Sequence, residues 1–282
     1  MHEEDTLINY EIFLSMLYRN FTSFNTRGIL KDLIFVKDDD LRLQFTFWKY
    51  NRKQISHQAL KQEIELISWR LAKHKCDKIF INCTFDVGRK LSNKERNNNC
   101  SNNSLNYGEI DYESFYQTLS TLKRLETSDK NNYITQNKVF YDLGCGTGKA
   151  LVAVRLTEDF KKVHGVEIMS SLYQEGKKRI DIFNSKLNDK GLLLTYNEPI
   201  TIQQGDILEV DWSDGDIVFC NSTAFCPDLM EKLSKKASQL KIDSIVITYT
   251  KALSDDCFKI IDKSRIKASW GACSALIHKK IK

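Results

Sequence analysis

The chain has 282 residues, 42 basic and 37 acidic, for a net charge of +5, and 41% of it is apolar. That is enough to bury a full core, and the charge is too balanced for a dedicated nucleic-acid-binding domain. No apolar run is long enough to cross a membrane. Met1 is followed by HEEDT, neither a basic nor an apolar leader, and the eight cysteines show no CxxC pair and no zinc spacing. An intracellular protein with reduced, buried thiols, no secretory signal and no metal site is expected.

Leu7, Phe13, Leu14 and Leu17 predict a first helix. LRLQFTFW (41–48) alternates apolar and polar positions like a half-buried strand. Leu60, Ile64, Ile67 and Leu71 recur on one helix face, and KIFINCTF (78–85) again reads as a strand. NNNCSNNS (97–104) offers little to bury and predicts a flexible surface loop. Residues 1–106 are therefore expected to form an α+β extension, and they carry no chemical motif.

Beyond the loop, the rhythm changes to repeated strand–helix units. VFYDL (139–143), VHGVEI (163–168), PITIQQ (199–204), DIVFCN (216–221) and DSIVITY (243–249) read as strands. Helices are expected from about Lys149, through Leu172, Ile180, Phe183 and Leu187, and near 228–239, with ACSALIHKK as a closing edge strand. This alternation predicts an α/β fold, a Rossmann-like parallel sheet with helices on both faces, over 107–282.

The turn after the first strand, DLGCGTGKA (142–150), has glycines on alternate positions. A P-loop needs GxxxxGK[ST], but Gly148 and Lys149 are followed by Ala150. In a dinucleotide fingerprint counted from Gly144 and Gly146, the third position falls on Lys149, which obstructs close helix–strand packing. What remains, D-x-G-x-G-x-G, resembles the binding turn of Rossmann-like, class I S-adenosylmethionine-dependent methyltransferases. Asp142 then belongs near the ammonium of that cofactor or a structural water, with Gly144 and Gly146 admitting it to the backbone. Glu167 ends the second strand, 25 residues on, where a carboxylate can accept from ribose hydroxyls. Asp206 follows the third strand, where it can receive the adenine amino group.

The fourth strand ends in FCNSTAFCPDL (219–229), which resembles the Asn-Asn-Phe-Ala-Phe-Gly-Pro segment of the disruptor-of-telomeric-silencing family. These are histone lysine methyltransferases built on a Rossmann-like fold rather than a SET domain. YGEI (107–110), GDILEVDW (205–212) and SWGACSALIH (269–278) resemble further segments of that family, so the likeness covers about 107–282. It implies that Tyr107 and Glu109 form a lid over S-adenosylmethionine, and that Asn221 and Phe225 line the channel through which a lysine reaches the methyl group. It also implies a protein substrate, with histone H3 in nucleosomes as the acceptor, and a place in the nucleus if histone-directed or otherwise in the cytoplasm. Local basic runs at Lys161–Lys162, Lys177–Arg179, Lys235–Lys236 and Lys279–Lys282 read mainly as solvated faces; contact of a weakly basic surface with nucleic acid is an expectation, and no membrane partner is expected. The chain departs from the family at Ile110, at Ser222 in place of a second asparagine, and at Ala275 in place of an aromatic. The alternatives are methylation of a non-histone protein or a small amine, or a non-catalytic cofactor-binding subunit.

Overall fold

The computed structural model describes Thr46, residues 49–50, 52–98, 106–126, Thr135, 137–158, 160–186 and 198–282. The helix expected around Leu7–Leu17, most of 41–48, residues 99–105 and Leu187 lie outside this set, as do the side chains of Ile64, Ile67 and Leu71.

Seven strands form one sheet in the order β3-β2-β1-β4-β5-β7-β6. They are β1 (Val139–Leu143), β2 (Lys162–Glu167), β3 (Thr201–Gln204), β4 (Ile217–Cys220), β5 (Ile245–Tyr249), β6 (Phe258–Ala268) and β7 (Gly271–Lys280). The first five are parallel, while β7 runs antiparallel to both β5 and β6. β1 is completely buried, as a parallel strand covered on both faces must be. The α/β expectation holds.

The closing segment is not at the edge. β7 lies between β5 and β6, and the edge strand is β6, which the sequence reading did not anticipate. A register shift between Ile260 and Asp262 breaks its alternation, so FKIIDKSRIKA carries no clean period of two.

Helices α1 (His57–Ile79), α2 (Phe85–Asn98) and α3 (Tyr112–Glu126) precede the sheet; α4 (Lys149–Thr157), α5 (Ser170–Lys186) and α6 (Pro227–Ala237) connect its strands. α1 starts where Ser56 accepts a hydrogen bond from the Ala59 amide, and it ends at Phe80, whose N–H returns to the Cys76 carbonyl. KIFINCTF is therefore a helix end, a turn and a helix start rather than a strand. Ile79, Phe80 and Cys83 are buried there, but in the same cluster as Leu151 and Ala153 of α4, so burial against a helix produced the apolar run. Thr46, Lys49 and Tyr50 are helical too, and no strand occurs among the described residues before β1 other than the Ile110 bridge. The described part of the extension is thus α rather than α+β. Asn97 and Asn98 belong to α2, not to the expected loop.

One face of the sheet is covered by α1, α3, α4 and α5, whose Trp69, Cys76, Phe115, Leu119, Val152 and Ile180 share a single core with Phe140, Phe219 and Ile247. On the other face α6 packs Met230 and Leu233 with Trp212 against Tyr141, Val218 and Val246. Residues 57–98 join this assembly tightly. Glu95 of α2 caps α5, accepting from the amides of Ser170 and Ser171 at 2.8 Å each.

Candidate active site

The strand order reverses between β1 and β4, the place where open α/β sheets bind ligands beyond their carboxyl ends. A cleft opens there. All nine residues singled out in the sequence line it: Tyr107, Glu109, Asp142, Gly144, Gly146, Glu167, Asp206, Asn221 and Phe225.

The turn from β1 into α4 runs through Gly144 (φ +77°) and Gly146 (φ +56°), a left-handed conformation that glycine adopts without a Cβ penalty. Glu167 fastens this turn. Its carboxylate accepts from the Gly146 amide at 2.7 Å and from the Met169 amide at 2.9 Å. Burial holds its pKa above the usual range, against the pull of the Met169, Gly146 and Ile168 N–H groups.

Asp142 is 3% exposed, and no described residue donates to its carboxylate. Burial, with the Glu167 charge beside it, pushes its pKa to about 8. A buried acid without a donor is an arrangement that an arriving cation relieves. Asp206 is half-buried and turns one oxygen to the Leu208 amide at 2.8 Å.

Residues 106–110 fold across the glycine turn as a lid. The Tyr107 hydroxyl donates to Glu109 at 2.6 Å and meets the Thr147 hydroxyl at 3.0 Å. Burial and the Glu109 carboxylate raise the phenol's pKa, so it remains a donor. Lys149 forms an ion pair with Glu109, with both side chains at least 85% shielded. Ser269, in the β6–β7 turn, holds the lid from outside by accepting from the Glu109 amide at 3.0 Å. The Trp270 ring lies against Gly108, where a Cβ would be only 2.5 Å from it.

The extension contributes directly. The Tyr107 ring sits between Gly88 of α2 and Gly146 of the turn, and a Cβ on either would lie 2.3 or 2.8 Å from it. Phe85 stacks on the same ring at 6.1 Å. Sequence reasoning missed Phe85, Gly88, Thr147 and Lys149. A glycine inside an otherwise helical stretch was the available signal for Gly88.

At the end of β4, the Asn221 amide nitrogen donates to the Gly108 carbonyl at 3.3 Å. Its carbonyl oxygen is buried and has no hydrogen-bond partner among the described residues. Phe225, Phe219 and Ile110 supply apolar wall around it. Ser222 and Ala275 stand apart from this wall. Ser222 is fully buried and donates to the Tyr249 carbonyl at 2.8 Å, and Ala275 is fully buried in the core beneath β7. Among the described residues no group of His, Cys, Asp and Glu side chains could hold a metal ion, and no helix is long and apolar enough to cross a membrane.

The family model described as "Histone methylation protein DOT1" matches residues 93–269. No curated protein matches the chain. Among solved structures, an RNA methyltransferase from Salinibacter ruber in complex with S-adenosyl-L-homocysteine is 18% identical, covering 58% of this chain and 92% of its own, with a TM-score of 0.42. A putative RNA methyltransferase from Pyrococcus horikoshii is 16% identical over 69% of this chain and 98% of its own, with a TM-score of 0.44. Magnesium protoporphyrin IX methyltransferase from Synechocystis PCC 6803, with bound S-adenosyl-L-homocysteine, is 15% identical over 60% and 84%, with a TM-score of 0.42.

Proposed function

Because the chain belongs to the histone methylation protein DOT1 family, we propose that it methylates a lysine side chain of a protein, with histone H3 in chromatin as the acceptor the family indicates. It is an S-adenosylmethionine-dependent methyltransferase. When bound, S-adenosylmethionine supplies an electrophilic methyl group on a sulfonium.

The residues present suit that group. Asp142, buried and without a donor among the described residues, would hold the cationic amino-acid end. Gly144 and Gly146 bare the backbone, and Glu167 at the end of β2 would accept from the ribose hydroxyls. Asp206 would receive the adenine amino group, and Tyr107 with Glu109 would close over the cofactor.

One observation carries the lysine reading: the unpartnered, buried carbonyl oxygen of Asn221. Leaving such an oxygen unpaired costs about 1–3 kcal/mol. An amine N–H entering the cleft pairs with it, and the Gly108 contact on the amide nitrogen fixes which way the side chain points. The lysine must arrive neutral, although its reference pKa is about 10.4. Phe225, Phe219 and Ile110 strip water from it, which lowers that value, and no strong base is needed. Orientation of the nitrogen by Asn221 would then supply much of the rate.

The alternative acceptors were raised by Ser222 and Ala275. Since neither side chain lines the cleft, their identity leaves the Asn221 arrangement intact. With a histone as acceptor the protein works in the nucleus. The test is transfer of labelled methyl to nucleosomes, free histones and cell lysate, followed by identification of the modified residue. Label on lysine supports the reading. Label only on a non-lysine site or a small amine, or no transfer at all, rejects it.

A further inference from the structure

We propose that the outward face of edge strand β6 binds the phosphate backbone of nucleic acid. After the register shift at Ile260/Asp262, the strand alternates cleanly. Ile266 points into the core beneath α3, so Lys263, Arg265 and Lys267 project from the opposite face. All three are exposed, and none forms an ion pair or side-chain hydrogen bond with a described residue. Their cross-strand partners on β7 are Leu276, Ser274 and Ala272, so no carboxylate lies opposite them.

Alternate residues on a strand are about 6.8 Å apart, which makes an evenly spaced row of three cations. Phosphate binding requires such charge and little else. A protein partner would also need apolar side chains to form the centre of an interface. Here Leu276 is buried and the other two neighbours are small, and the one exposed apolar side chain described on this face of β6, Ile260, stands before the register shift at the far end of the row. The row leads to the active site, because Ala268 at its end bridges to Ile110 of the lid. Nucleic acid lying along β6 therefore passes beside the cleft entrance, whatever the methyl acceptor is. Charged side chains on an edge strand can also serve to discourage strand pairing, and the experiment separates the two roles.

The full chain and the variant Lys263→Gln/Arg265→Gln/Lys267→Gln are titrated with a fluorescent DNA duplex of mixed sequence over a range of salt concentrations. S-adenosylhomocysteine affinity serves as the control for folding, and Lys161→Gln/Lys162→Gln as the control for general charge. If each cation meets one phosphate, the slope of log K against log salt falls by about 2.7 in the triple variant. Between 50 and 200 mM salt the wild type then loses about 40-fold more affinity than the variant. Three results overturn the proposal: unchanged affinity and slope in the triple variant, an equal loss in the Lys161/Lys162 control, or binding of polyglutamate in preference to the duplex. A triple variant that binds DNA normally but self-associates overturns it as well, and assigns the row to edge protection.

Discussion

The ring of Tyr107 occupies the space that a side chain on Gly88 would need, since a Cβ built there lies 2.3 Å from its Cε1. A helix of the amino-terminal segment thus seats the residue that closes the cleft. Gly88→Ala should raise helix propensity by about 1 kcal/mol. The structure predicts instead that it weakens S-adenosylhomocysteine binding, because the ring must leave its slot. Calorimetry and melting on this variant check the point, and a more stable variant with unchanged affinity would show that the slot does not matter.

Lys149 and Glu109 form a largely buried ion pair between the end of the glycine turn and the lid. Removing one partner leaves a buried charge, at a cost of about 3–5 kcal/mol. Lys149→Met or Glu109→Gln alone should lower Tm by roughly 6 °C or more, whereas the double variant should recover part of the loss. Additive losses in the cycle would mean that the pair is not coupled.

Asp142 makes cofactor binding depend on pH. Its pKa in the folded protein, about 8, lies above the ordinary carboxylate value, so the acid is protonated at neutral pH. That single group favours folding at low pH, and its contribution declines as pH rises from about 4 through 8. A bound cation favours the ionised form, so binding at pH 7 should release a proton and affinity should climb until about pH 8. Calorimetry in buffers of different ionisation enthalpy measures the release, which Asp142→Asn should abolish. Proton-neutral binding by the wild type would place the cation elsewhere.

Much of this was legible in the sequence for a physical reason: the glycine turn, the acids after successive strands and the parallel core all arise from local pattern. DLGCGTG needs its glycines for three positive-φ positions, and that need is written in adjacent residues. The slot for Tyr107 is not, because Phe85 and Gly88 meet it only through the packing of α2 on the sheet domain. The strand expected at 78–85 failed because Ile79, Phe80 and Cys83 are buried by a helix end, and a short apolar run does not distinguish the two kinds of burial. β6 was hidden by its bulge and by the charges on its outer face.

The account rests on the free carbonyl oxygen of Asn221, and Asn221→Ala tests it most directly. Single-turnover transfer to histone substrates should be measured beside S-adenosylhomocysteine affinity and melting. The predicted result is near-native affinity and stability with transfer slowed tenfold or more, a loss of about 1.4 kcal/mol or greater. Transfer at the wild-type rate by a folded variant that binds the cofactor normally would contradict the account.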